Sequence, residues 1–156
     1  MHYIAYVDGS YKEVEGVGPI YGGAAIVRAE NSYHWTSMTK AGSNELVSMR
    51  NVAGEILAAM MLFEHCRQLS DCTELTIYYD YEGIANWIKR DSEPGFWRAK
   101  NVYTKAYRAY YWQYIKPRIA CTFVHVKGHT GNDGNELVDS LAKKAIADYA
   151  EHNVAK

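Results

Sequence analysis

The sequence predicts an α/β fold, a mixed sheet flanked by helices, on three observations. Period-two segments fill the first 42 residues, one long 3.6-period segment follows, and single strands then alternate with helical segments. The order reads βββαβααβα. Alternation of Tyr3, Ala5 and Val7 against Ile4, Tyr6 and Asp8 makes "HYIAYVD" the first strand, and Gly16, Gly18 and Pro19 supply the turn beyond it. "YGGAAIVRA" and "SYHWTSMTKAG" are the second and third strands. The segment from Ala53 to Leu69 is helical, "ELTIYYD" is a strand and "EGIANWIKR" a short helix. Asp91 to Lys100, with Pro94 and Gly95, forms a loop. "VYTKAYRAYYWQYI" is helical, with Tyr103, Tyr107, Tyr110 and Tyr114 on one stripe expected to face the core. "IACTFVHV" is a strand, and a helix starting near Asn135 closes the chain. Its apolar stripe is Leu137, Val138, Leu141, Ala142, Ala145, Ile146 and Tyr149.

With 156 residues, 48% of them hydrophobic and 22% charged, a single domain spanning 1–156 can bury a core without staples. No repeat, low-complexity tract or interdomain linker interrupts it. "HYIAYVD" follows Met1 at once, without a basic or apolar leader, and no run approaches transmembrane length, so neither export nor a membrane partner is expected. Three cysteines, Cys66, Cys72 and Cys121, have no paired metal spacing and read as thiols of a reducing cytoplasm. A net charge of −1 announces no polyanion partner. Its distribution does more: eight of the 17 Lys and Arg residues lie between Lys89 and Arg118, against only Asp91 and Glu93. Such a stretch is either a solvated helix surface or a phosphate-facing one.

Four acids occupy places where a core wants none. Glu55 heads the line of Ala59, Leu62, Cys66 and Leu69 on the first long helix, and Asp8 and Asp80 close the apolar strands "IAYVD" and "TIYYD". Asp139 edges the apolar stripe of the last helix. Each has an ordinary explanation alone: a helix N-terminus favours negative charge, aspartates open turns, and a stripe edge is solvated. Together they would repel one another and lose hydration unless a cation joined them. Carboxylates without thiolates suit Mg²⁺ or Mn²⁺, and two ions about 4 Å apart are the usual arrangement for in-line phosphodiester displacement. His125 and His129 have the i,i+4 spacing of a zinc pair, but that rule needs a helix and here a strand passes into a loop.

The segments "YVDGS", "GPIYGGAAIV", "NVAGEILAAM", "IYYDYEGIANWI" and "VKGHTGNDGNELVDSLAKKA", in this order, resemble type 1 ribonuclease H, which cuts the RNA strand of RNA–DNA hybrids. The resemblance implies the ribonuclease H-like fold, a five-stranded mixed sheet with three antiparallel strands and then parallel ones. It implies a site for two Mg²⁺ ions, with Mn²⁺ as a substitute. Asp8 would bridge both ions, Asp139 would help hold the one that activates water, and Glu55 and Asp80 would hold the other. Glu136 matches an outlying acid, and His129 matches a loop histidine associated with proton transfer and product release. The products implied carry 3′-hydroxyl and 5′-phosphate ends.

RNA selection by such an enzyme rests on 2′-hydroxyls, and DNA selection on a phosphate pocket and groove shape. Gly9, Ser10, Arg50, Asn51, Glu82, Arg98 and Lys100 are the corresponding substrate-binding candidates, with Asn51 fitting the family's groove asparagine. Val52 departs from the Asn or Gln of many members, and Glu82 from a common glutamine. "RDSEPGFWRAKN" is too short for the extra helix of a basic protrusion, so Trp97, Arg98 and Lys100 are expected to form an abbreviated contact surface. The chain is expected to act as a cytoplasmic monomer without an obligate protein partner. A DNA-cutting resolvase or integrase core and a noncatalytic hybrid-binding module are the competing readings. The histidine loop with its "GNE…D" spacing disfavours the first, and four intact acids disfavour the second.

Overall fold

The computed structural model describes residues 1–127 and 133–154. β1 (His2–Val14), β2 (Gly18–Ala29) and β3 (Thr36–Gly42) form an antiparallel meander, and β4 (Glu74–Tyr79) and β5 (Ala120–His125) add to β1 in parallel. The sheet order is β3-β2-β1-β4-β5, the predicted five-stranded mixed sheet. Among the described residues four α-helices flank it: α1 (Asn51–Gln68), α2 (Gly83–Asn86), α3 (Val102–Tyr110) and α4 (Asp133–His152). Among the described residues no helix is long and apolar enough to cross a membrane.

Alternation in the central strands sorts side chains to two sides. Ala5, Val7, Ala25, Val27, Leu75 and Ile77 meet Leu62, Phe63 and Cys66 of α1, with Tyr107 and Ile115 behind them. Ala24 meets Val138 and Ala142 of α4 on the other side. Leu137, predicted for the α4 stripe, is 41% exposed instead, one position off the line that Val138, Ala142, Ala145 and Ile146 follow into the core.

Two further expectations change. β1 does not stop at Asp8, because its hairpin with β2 keeps register out to Val14↔Gly18. What stops is the pairing with β4, whose last partners are Tyr6↔Tyr78. Asp8 therefore clears the sheet where β4 has ended, although its own strand continues. The tyrosine stripe also shifts. Thr104, Tyr107, Tyr111 and Ile115 are buried, while Tyr110 is half-buried and Tyr114 is exposed beneath the Arg67 guanidinium, 4.0 Å from its ring. The cause is a π-helical turn over Tyr111–Ile115, closed by the Lys116 amide on the Tyr111 carbonyl at 2.8 Å. An i→i+5 turn offsets the drift of i+4 steps, so positions four apart stay in line.

Candidate active site

Small residues let the helices approach the strands closely enough to bring their acids together. A Cβ on Gly54 would run into the Gly22 carbonyl, and one on Gly9 into the Glu55 backbone amide. "DGS", "YGG" and "AGE" thus seat the N-terminal half of α1 directly on β1 and β2. On the other side Gly134, in the first turn of α4, lies flat against the ring of Tyr6, which stacks on Tyr78 with centroids 4.7 Å apart. That contact places the start of α4, and with it Glu136 and Asp139, beside the end of the β1–β4 pairing.

Asp8, Glu55, Asp80 and Asp139 line one open cleft of about 400 Å³, together with Gly9, Asn51 and Glu136. Asp8 is 8% exposed and Glu55 3%. The Gly9 amide donates to Asp8 Oδ1 at 2.9 Å. Burial, followed by hydrogen bonding to Asp139, pushes the Asp8 carboxyl up to about 7. Burial and the adjoining charge of Asp8 hold Glu55 well above the carboxylate range. Its Oε2 is enclosed without a hydrogen-bond partner.

An enclosed carboxylate oxygen without a partner, next to a second buried acid, suits a hard divalent cation, which takes oxygen donors and removes the repulsion. Asp8, Glu55, Asp80 and Asp139 therefore fit Mg²⁺ by donor chemistry. Among the described residues, though, no three such side chains are gathered as a ready ligand set. Asp139, hydrogen-bonded to Asp8, also reaches Lys143, with Oδ2 3.0 Å from Nζ one helical turn away.

The other candidates divide. Ser10 lies in an adjoining apolar groove of about 570 Å³ that Lys12 and Lys143 flank. Arg50, exposed, caps α1 with φ 56°, the one positive φ outside glycine among the described residues. Glu82 is exposed at the start of α2. Arg98 and Lys100 are exposed on the α2–α3 loop and do not line the cleft. Trp97 departs from expectation: it is packed against Tyr81 and Trp87, centroids 6.0 and 5.8 Å away, as a strut of that loop. His129 lies outside the described residues. Two cleft residues carried no clear sequence signal. Asn135 is buried at 5% exposure in the first turn of α4, and Lys143 was visible only as a cation four residues after Asp139.

The RNase H family model matches residues 1–147. The chain belongs to the ribonuclease H family. Its relatives include the ribonuclease H of Francisella philomiragia, 31% identical over 93% of this chain and 91% of that one. The ribonuclease H of Francisella tularensis subsp. novicida is 32% identical with the same coverage. Among solved structures, the RNase H1 of the halophilic archaeon Halobacterium salinarum superposes with a TM-score of 0.70 at 15% identity, covering 95% of this chain and 99% of that one. LC11-RNase H1, solved in complex with an RNA/DNA hybrid, superposes at 0.61 and 21% identity, covering 94% and 98%. Those two likenesses establish the ribonuclease H fold. The sequence match places the five motifs of this ribonuclease H chain within one family.

Proposed function

We propose that the chain is an endonuclease that hydrolyses the RNA strand of RNA–DNA hybrids, acting as a cytoplasmic, monomeric single domain over residues 1–156. The observation that carries this reading is the buried Asp8–Glu55 pair, with its unpartnered oxygen, opening onto a cleft that Asp80 and Asp139 also line. Asp8, Glu55, Asp80 and Asp139 would hold two Mg²⁺ ions, or Mn²⁺ in their place. Bound there, the ions supply Lewis-acid activation of water and charge stabilisation for in-line displacement, leaving 3′-hydroxyl and 5′-phosphate ends.

The protein's own groups do the rest. Burial keeps Asp8 and Glu55 protonated in part when no cation is present, so the acids give up protons as they take on metal. Glu136 shapes the charge at the cleft mouth, and His129 accepts or returns a proton. Gly9, Ser10, Arg50, Asn51 and Glu82 border the path of the cleaved strand, and Arg98 and Lys100 meet phosphates farther out.

End-labelled RNA–DNA hybrid, double-stranded DNA and double-stranded RNA, each incubated with and without Mg²⁺, test the reading. Cleavage confined to the RNA of the hybrid and dependent on Mg²⁺ is expected. Cutting of duplex DNA would point to a resolvase-like relative, and binding without cutting to a hybrid-binding module.

A further inference from the structure

Asp80 stands one residue beyond β4, past the reach of the backbone ladder. The last rung between β4 and β5 is the Val126 amide donating to the Tyr79 carbonyl at 2.8 Å. One residue later the Asp80 carbonyl accepts from a side chain, His125 Nε2, at 2.7 Å. A carbonyl can only accept, so Nε2 carries the hydrogen whether the ring is neutral or charged. The ring itself leans on Tyr79, with centroids 5.4 Å apart. On its other side Asp80 runs into the turn before α2, where the Ile84 amide donates to the Tyr81 carbonyl at 3.1 Å.

We infer that His125 is a positioning residue: its Nε2–H extends the parallel ladder by one rung, fixes the Asp80 peptide, and so aims the Asp80 carboxylate into the cleft. The inference rests on the metal-dependent function proposed above. Partners that hold a ligand's backbone or second oxygen orient it, and removing them weakens metal binding more than it weakens the fold. Exposure separates the two effects here. His125 is at the surface, where a lost hydrogen bond is replaced by water at small cost to stability. The aim of the carboxylate has no such substitute. The bond also ties the end of β5 to the backbone of a cleft acid.

Two variants of the full chain test this. His125→Phe keeps a ring against Tyr79 and removes the donor, whereas His125→Gln restores a donor without the ring. Mg²⁺ binding is followed by NMR shifts of cleft amides without substrate, and melting temperature is measured in chelator. His125→Phe should melt close to wild type yet bind Mg²⁺ about tenfold more weakly, with His125→Gln recovering to within about threefold. In wild type, ¹⁵N shifts should show the Nε2–H form of His125. Unchanged Mg²⁺ binding in His125→Phe, or no recovery in His125→Gln, overturns the positioning role. So does a large fall in melting temperature that accounts for the lost binding. A wild-type chain that binds no Mg²⁺ overturns the proposed function and this inference together, a result distinct from normal wild-type binding left intact by His125→Phe.

Discussion

At Asp8 and Glu55 burial, and after it the neighbouring acid, favours the protonated carboxyl, and that makes the metal-free protein pH-sensitive. Both carboxyls are raised above their unfolded values, so the folded state binds more protons. The contribution of Asp8 to stability is complete below its ordinary value near 3.8 and is lost as pH climbs through about 7, and Glu55 acts in the same direction. Compared at each pH in chelator, Asp8→Asn should gain on wild type by up to about 1.4 kcal/mol per pH unit over that window. Urea unfolding from pH 4 to 8 measures it, and a constant difference would contradict the assignment. The same variant should keep its fold and lose Mg²⁺-dependent cleavage. Asp139 differs, because it is half-exposed and paired with Lys143. Asp139→Asn removes an attractive i,i+4 pair as well as a repulsion, and little net change in metal-free stability is expected. His129→Ala should slow turnover with Mg²⁺ affinity retained, as a proton carrier and not a ligand would. The acids were legible in the sequence because charge in an apolar stripe is conspicuous. Asn135 and Lys143 were not, since a buried asparagine and a surface lysine look alike on a helix until the neighbouring strand is known.

Among the elements, the join of α1 to the sheet has the smallest tolerance. Alanine inside a helix ordinarily gains about 0.5–1 kcal/mol over glycine. At Gly54 the added Cβ meets the Gly22 carbonyl, a backbone atom that cannot rotate away. Gly54→Ala should therefore destabilise by about 2 kcal/mol and weaken Mg²⁺ binding, since Glu55 moves with the helix. Thermal melts and Mg²⁺ titration of that variant check both, and a stabilised variant would show that the helix has room. β4 and α4 could be read from periodicity because each buries one face, whereas β2 is buried continuously from Ile20 to Val27 and is marked by its length and flanking turn instead. The π turn at Tyr111–Ile115 could not, because Tyr110 and Tyr111 are interchangeable in any pattern of apolar residues. Packing against Phe63 and Phe123, 5.7 and 6.1 Å from the Tyr111 ring, selects one of them.

For the molecule as a whole, net charge and local charge give different forecasts for hybrid binding. The basic stretch is partly internal structure: Lys89 donates to the Pro94 carbonyl at 3.0 Å, Arg118 to the Arg67 carbonyl at 2.8 Å, and Arg108 to the carbonyls of Trp87 and Lys89. Arg50, Arg98 and Lys100 remain exposed. Affinity should fall with salt despite the net charge of −1, at a slope of about 0.7–0.9 per phosphate engaged. Titrations of hybrid at several salt concentrations measure that slope. Arg98→Ala should lower it by about one, and a flat plot would remove these residues from the interface.

The parallel pairing of Tyr6 with Tyr78 spans 72 residues of chain, and Asp8 and Asp80 each follow two residues after that last pair. No shorter segment of the sequence can assemble both. Local helices can form early, but the two strands meet only after a long loop has closed, which slows folding and makes the last step cooperative. A half-folded chain consequently offers divalent cations little to hold, and the appearance of Mg²⁺ affinity during refolding should keep pace with the slowest structural change.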